Sequence, residues 1–320
     1  MINLIEKFSN LSIEVKENEP LKNHTTFKIG GPAKYFCLLN KIQQIKPILQ
    51  IAKDNQLKVF IIGGGSNLLV SDNGFDGLVL KFNFKQIEIL GNRISVSADF
   101  PLGQLVTQTI NNHLCGLEFA TGIPGTIGGA VVGNAGAYGG ELADLIDKIE
   151  VLNDKLEFQE LKKADLKFRY RYSILKDNHF TVIKVYLLLS NCDSQKSIEE
   201  MKRIALDRYK KHPQEPSAGS TFKNIILTDE VKKKLEQKDI KIPEASLLYQ
   251  KIPVALLIES LGLKGKTIGG AQISNKHANH LINIGNATAD DVVQLMSLVK
   301  MKVRDELGIQ LEEELRYVGF

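Results

Sequence analysis

Arg169-Tyr170-Arg171-Tyr172-Ser173 packs two guanidiniums, two phenols and a hydroxyl into one short stretch. If that stretch is extended, Arg169, Arg171 and Ser173 share a face that could clamp a carboxylate; the competing reading is an amphipathic edge strand. Ser217-Ala218-Gly219-Ser220-Thr221-Phe222-Lys223-Asn224 surrounds a hydroxyl with small residues. Such a segment lets a ligand approach Ser220 closely, or simply makes a turn. Neither a Gly-x-Ser-x-Gly elbow nor a Ser-His-Asp order accompanies it. The tail Leu311-Glu312-Glu313-Glu314-Leu315-Arg316-Tyr317 reads as a charged strand end. His277 and His280 lack an acid or thiol at metal spacing. Cys37, Cys115 and Cys192 are dispersed with no Cys-x-x-Cys, so neither a zinc site nor a disulfide framework is expected.

Glycine supplies the other chemical signal. Nine glycines fall between Gly116 and Gly140, in Thr121-Gly122-Ile123-Pro124-Gly125-Thr126-Ile127-Gly128-Gly129-Ala130 and its flanks. Dense glycine is costly in entropy, and successive bare N–H groups form a nest that suits phosphate oxygens. A second turn, Gly63-Gly64-Gly65-Ser66-Asn67, directly follows the apolar run Leu57–Ile62. Neither is a Rossmann Gly-x-Gly-x-x-Gly or a P-loop. Together they favour a bulky dinucleotide held by backbone, against the simpler reading of tight turns.

Strand and helix signals alternate around these turns. Ile42, Ile45, Ile48 and Leu49 recur at helical spacing, with Pro47 beginning or kinking that helix. Leu78–Phe82, Ile94–Ala98, Ile149–Leu152 and Val182–Leu189 read as strands. Asp99 is expected to cap a helix running to His113. Ser197 and Glu200 form an apparent capping box opening a helix to about Lys211. Val254–Leu261 should end at Gly262, and Thr288 with Asp291 should open a helix closed by Gly308. Residues 226–250 are charged and weakly patterned, and read as a surface insertion dispensable for chemistry.

The length of 320 residues suggests about two domains. Hydrophobic content of 43% with 24% charged residues is that of a soluble globular chain. A net charge of +4 without aromatic-interleaved basic runs argues against nucleic acid. Met1–Lys7 lacks a signal-peptide pattern and no long apolar window exists, so a cytoplasmic protein is expected.

Beyond these patterns, the chain closely resembles the UDP-N-acetylenolpyruvoylglucosamine reductase family. The resemblance spans nearly all of it. It is carried by Asn23–Ala33, Gly63–Val70, Gly116–Glu141, Phe168–Ser173, Ala218–Asn224 and Ile268–Asn279. It implies an α+β protein: a two-lobed FAD-binding domain of the vanillyl-alcohol-oxidase type over residues 1–205, with lobes about 1–66 and 67–205. An α+β substrate-binding domain would follow over 206–309, and a C-terminal strand, 310–320, would return to the FAD-binding part. The implied activity is NADPH-dependent reduction of an enolpyruvyl UDP-sugar through noncovalent FAD, in peptidoglycan precursor synthesis. FAD would lie along Gly63, Gly64, Gly65, Ser66, Asn67, Gly122, Gly128, Gly129, Ala130, Asn134 and Ala137. The resemblance makes Arg171 the catalytic arginine, Ser220 the proton donor and Glu314 the second active-site acid. Asn224 and Lys211 would touch substrate. No metal, nucleic acid, membrane or obligatory protein partner is implied. Only 49 positions separate Arg171 from Ser220, which resembles the class lacking a tyrosine-bearing loop over the substrate. Two other readings stay open: another FAD-dependent oxidoreductase of the same fold, or a nucleotide-binding module without chemistry. A covalent-flavin oxidase would want His or Cys beside a glycine turn, whereas Ser66 follows Gly65.

Overall fold

The computed structural model describes residues 4–178 and 180–320. The chain divides into two compact units, each assembled from three pieces. Met1–Glu19, Ala33–Gly64 and Phe75–Lys210 form the first; Pro20–Pro32, Gly65–Gly74 and Lys211–Phe320 form the second. Helices and strands mix in both, as the α+β class requires.

Two large sheets dominate the first unit. In one, the order is Val15–Pro20, Pro32–Leu39, Phe75–Phe82, Val59–Ile62, with the last two pairings parallel. Parallel neighbours need a crossover, and the helix Ile45–Asp54 supplies it, burying Ile45, Ile48 and Ala52. Pro47 sits in its first turn, where a missing N–H leaves no intrahelical bond unmade. Glycines 63 and 64 begin where Val59–Ile62 stops. The second sheet is antiparallel, in the order Phe158–Lys162, Ile146–Leu152, Thr181–Leu188, Arg93–Ser97, Ile87–Leu90. Helices Leu102–Asn111 and Ile127–Val132 pack Leu105, Ile110, Ile127 and Val131 onto Ile94, Val96, Ile149 and Val185. The central strand Thr181–Leu188 feeds two cores, although Lys184 and Tyr186 are only partly buried and Leu188 is exposed. Val185 and Leu187 join this core, while Ile183 joins the core of the first sheet.

Two helix starts differ from the sequence expectation. The helix Leu102–Asn111 has Pro101 at its N-cap, with no side chain capping it. The Asp99 carboxylate instead accepts the Lys85 N–H at 2.9 Å. The helix ending at Lys211 begins at Ser194. Asp193 accepts the Gln195 N–H at its mouth, and Ser197 lies inside the helix with its hydroxyl donating to Glu118 at 2.6 Å. A local Ser-x-x-Glu pattern could not reveal that long-range partner.

The second unit is built on an antiparallel sheet, Ser217–Ser220, His280–Asn283, Ala271–Ile273, Thr267–Ile268. The long helix Ala289–Leu307 packs on it with Val292, Leu295, Met296, Val299 and Val303 buried. Thr288 and Asp291 form the expected capping box, and Gly308 closes the helix at φ 65°. A separate parallel pair joins Leu68–Val70 to Arg316–Val318. Phe27, Ile29 and Leu69 share one core with this helix, so the short early pieces are structural members of the unit. Residues 226–250 are not a loose insertion. Thr228 caps the helix Asp229–Glu236, and Leu235 is fully buried in the same core, with Val231, Ile240 and Ile242 against it. Ile226 and the second short helix, Glu244–Tyr249, leave apolar residues exposed, with Leu248 at 75%.

Candidate active site

In the second unit, Ser220 ends its strand directly after Gly219, which takes φ +77°. It stands opposite His280 in the antiparallel register. Thr221, next along, donates its N–H to the Asn279 carbonyl and accepts the Glu314 N–H, both at 2.8 Å. Ser220 and Glu314 are thereby brought to neighbouring backbone positions, although nearly a hundred residues apart in sequence. Asn67 completes the arrangement: its amide donates to the Glu314 carbonyl at 3.0 Å, and its carbonyl accepts the Arg316 N–H at 3.0 Å. Of the three consecutive glutamates, Glu312 pairs with Lys223 and Glu313 with Lys300.

The Ser220 strand is pinned by Asn279, which is 3% exposed. Its amide oxygen accepts the Phe222 N–H and its amide nitrogen donates to the Phe222 carbonyl. Pattern reading passed over Asn279 because an isolated asparagine carries no period. It also missed the packing of His212, His277 and His280 into one imidazole cluster, with centroids 4.6–5.2 Å apart. Asn224 lies just past the strand, and its side-chain oxygen accepts the Val254 N–H at 3.3 Å. Lys211 is exposed at the end of its helix. Gly65 takes φ +63°, and a Cβ there would sit 2.1 Å from the His24 carbonyl. That strict need for glycine arises where Thr26 donates its N–H to Gly65 and its hydroxyl to Ser217.

In the first unit, Arg169–Tyr172 is not an extended face. The Arg169 and Tyr172 backbones bond each other in both directions, closing a tight turn. Arg171 occupies its tip at φ 55°, a left-handed conformation unusual for arginine. Its guanidinium donates to the Gly136 carbonyl at 2.8 Å. Arg169 instead lies over the Tyr172 ring, and Ser173 is buried with its hydroxyl on the Val132 carbonyl. The turn is anchored by Asn134, fully buried, which donates to the Arg169 carbonyl and accepts the Ala143 N–H.

The two glycine turns meet in this unit. A Cβ on Gly64 would fall 2.5 Å from the Gly125 backbone, and one on Gly63 2.7 Å from the Thr126 hydroxyl. Part of the glycine density therefore serves turn-on-turn packing. Gly128, Gly129 and Ala130 lie on the helix Ile127–Val132. The Gly128 N–H is taken by the Ala98 carbonyl and the Gly129 N–H by the Thr126 hydroxyl. Ala137 pairs with Gly140 in a two-stranded corner. Arg208 lies against Gly122, with Cδ and Nε 3.0 Å from where a Cβ would stand. Burial pushes its guanidinium below the usual arginine range, and Tyr138 opposes that shift.

This chain is similar to named proteins along its whole length. Residues 211–318 match the C-terminal domain of UDP-N-acetylenolpyruvoylglucosamine reductase, and residues 33–161 match an FAD binding domain. The reductase of Alkaliphilus oremlandii is 38% identical over 94% of this chain and 92% of its own. That of Caldanaerobacter subterraneus is 35% identical over 99% and 98%. The solved structure of the Thermus caldophilus enzyme superposes with a TM-score of 0.76 at 30% identity, covering 96% of this chain and 98% of that one. The chain belongs to the UDP-N-acetylenolpyruvoylglucosamine reductase family.

The family's flavin fits the residues present. Among the described residues, no protein acceptor takes the N–H of Gly64 or of Gly65, and bare amides of this kind suit phosphate oxygens. A Cβ on Gly129 would meet only the Thr126 hydroxyl, at 3.6 Å, so that side of the turn is open to a close neighbour.

Proposed function

We propose that this protein reduces the enolpyruvyl group of UDP-N-acetyl-3-O-(1-carboxyvinyl)-glucosamine to the lactyl ether, using NADPH and noncovalent FAD. This would yield UDP-N-acetylmuramate for peptidoglycan synthesis. The observation that carries the reading is 38% identity to a reductase of that name over 94% of the chain. FAD, when bound, supplies the hydride that NADPH donates. Gly63, Gly64, Gly65, Ser66 and Asn67 would hold it, with Gly122, Gly128, Gly129, Ala130, Asn134 and Ala137.

The chain's own residues do the rest. Reduction at the vinyl carbon builds negative charge on the neighbouring carbon and its carboxylate. Arg171 would stabilise that charge, an effect typically worth about 10²–10³ in rate. Glu314 would polarise or align the same carboxylate system. Ser220 would deliver the proton that quenches the carbanion, typically about 10²–10⁴. Asn224 and Lys211 would bind the UDP-sugar. Along the sequence we assign 1–205 chiefly to flavin and 206–309 to substrate, with a returning C-terminal strand, while the segments 20–32 and 65–74 pack with the second unit. The protein would act in the cytoplasm; among the described residues no helix is long and apolar enough to cross a membrane.

The deciding experiment is an absorbance spectrum without oxygen. The purified protein should be yellow, bleach with NADPH and recover colour when the enolpyruvyl UDP-sugar is added. Flavin that stays on the denatured polypeptide contradicts noncovalent binding. Bleached protein that the substrate fails to reoxidise contradicts the substrate assignment.

A further inference from the structure

Cys115 and Cys192 lie far apart in sequence, yet the fold of the first unit brings them together. The short strands Leu114–Cys115 and Ser190–Asn191 pair antiparallel, with Ser190 opposite Cys115. The Cys192 N–H then bonds the His113 carbonyl at 3.0 Å. Glu118, at the start of the 3-10 turn Glu118–Ala120, projects into the same place. One ligand atom from each of Cys115, Glu118 and Cys192 lies within 4.8 Å of the other two. All three residues are half-buried, so the cluster can exchange with solvent.

The carboxylate is held in position. One oxygen accepts the Gly116 N–H at 2.7 Å and the other the Ser197 hydroxyl at 2.6 Å. Ser197 also lies 3.4 Å from the Cys192 sulfur. This is the outer support that metal ligands need, since such partners fix a ligand's orientation and basicity. A carboxylate has about four lone-pair sites, so two accepted hydrogen bonds leave room for a cation.

We propose that Cys115, Glu118 and Cys192 form a binding site for a borderline-soft divalent cation of the zinc type, with water as the fourth ligand. Zinc–sulfur and zinc–oxygen bonds of about 2.3 and 2.1 Å place tetrahedral ligands roughly 3.5–3.8 Å apart. The cluster therefore needs to close by at most about an ångström. Two sulfur donors select zinc-like ions over magnesium or calcium. Both thiols would release their protons to solvent on binding, so affinity should rise with pH.

The alternative occupant of such a pair is a disulfide. The Glu118 carboxylate, held beside both sulfurs by the Gly116 N–H and the Ser197 hydroxyl, supplies a third donor that a cation uses and a disulfide does not. Bound metal would tie the strand Leu114–Cys115 and the Glu118 turn to the root of the helix Ser194–Lys211, whose far end carries Arg208 against Gly122.

The test is titration of the reduced, chelator-treated, flavin-loaded protein with Co²⁺, followed at red wavelengths where oxidised flavin does not absorb. A saturable one-to-one ligand-field spectrum, displaced by Zn²⁺, is expected. Cys115→Ser and Cys192→Ser should each abolish it. Ser197→Ala, which removes the hydroxyl that supports Glu118 and touches Cys192, should weaken binding about 10–100-fold. Cys37→Ala, at a cysteine buried elsewhere, should leave the spectrum intact. No saturable spectrum in the wild-type protein overturns the proposal, as does a spectrum that survives both serine variants. So does a protein that purifies with Cys115 and Cys192 oxidised to each other and, once reduced, takes up no metal.

Discussion

Arg171 combines an unfavourable backbone with a charge that the reaction would use. A left-handed conformation costs a side-chain-bearing residue about 1–2 kcal/mol, and at φ 55° this arginine bears it. Arg171→Gly relieves the strain but frees the unfolded chain, two effects of similar size and opposite sign. Thermal unfolding should therefore show stability within about 1 kcal/mol of the parent. Substrate reduction should fall about 10²–10³-fold. A variant whose stability and activity fall together would make Arg171 a structural residue. Ser220 is separated from the flavin's role by kinetics. Ser220→Ala should leave NADPH oxidation nearly intact and slow reduction of the enolpyruvyl substrate at least about 10²-fold. Ser220→Cys should retain more activity than Ser220→Ala, because a thiol can still donate a proton. Stopped-flow measurement of each half-reaction distinguishes these outcomes, and equal slowing of both would mean that Ser220 shapes the pocket instead.

At the scale of elements, the helices of the second unit give two contrasting tests. Leu235 on Asp229–Glu236 is fully buried, so Leu235→Ala should destabilise by about 2–5 kcal/mol in denaturant melts. Leu248, 75% exposed one helix later, should tolerate Leu248→Ser within about 0.5 kcal/mol. At the mouth of Ala289–Leu307, the Asp291 carboxylate accepts N–H groups from Thr288 and Gly270. These bonds hold its carboxyl below the usual aspartate range. A folded value below the unfolded one stabilises the protein above the unfolded pKa and is lost as pH falls through the folded one. Melting temperatures of parent and Asp291→Asn should therefore differ near neutrality and converge in acid; a gap that persists at low pH removes the charge from the explanation. The capping box was legible because Thr288 and Asp291 are three residues apart. The start of Ser194–Lys211 was not, because the Ser197 hydroxyl that resembles a cap is donated instead to Glu118, 79 residues away. Likewise the alternation in Arg169–Ser173 looked extended, while the turn is fixed by Asn134, 35 residues upstream.

For the whole molecule, the glycine turns and the Ser220 motif were readable because their composition is unusual. The interleaving was not, since no local pattern announces that Pro20–Pro32 and Gly65–Gly74 belong with residues beyond Lys211. The region 211–318 matches a domain of the reductase by itself, yet its core includes Phe27, Ile29 and Leu69. Residues 211–320 expressed alone should therefore lack a cooperative unfolding transition, while the full chain shows one. A sharp transition in the fragment would mean that the early pieces are dispensable.

The parallel pairing of Leu68–Val70 with Arg316–Val318 also sets a clock on biosynthesis. Asn67 and Glu314, bonded beside it, are separated by 247 residues. At about 5–20 residues per second, the ribosome needs roughly 12–50 s to make the intervening chain. Throughout that interval the apolar run Leu68-Leu69-Val70 is without its partner strand. The nascent chain thus carries an open edge until Arg316–Val318 has been made. A chain cut short before Arg316 would leave that edge permanently exposed to chaperones, proteases and other nascent chains.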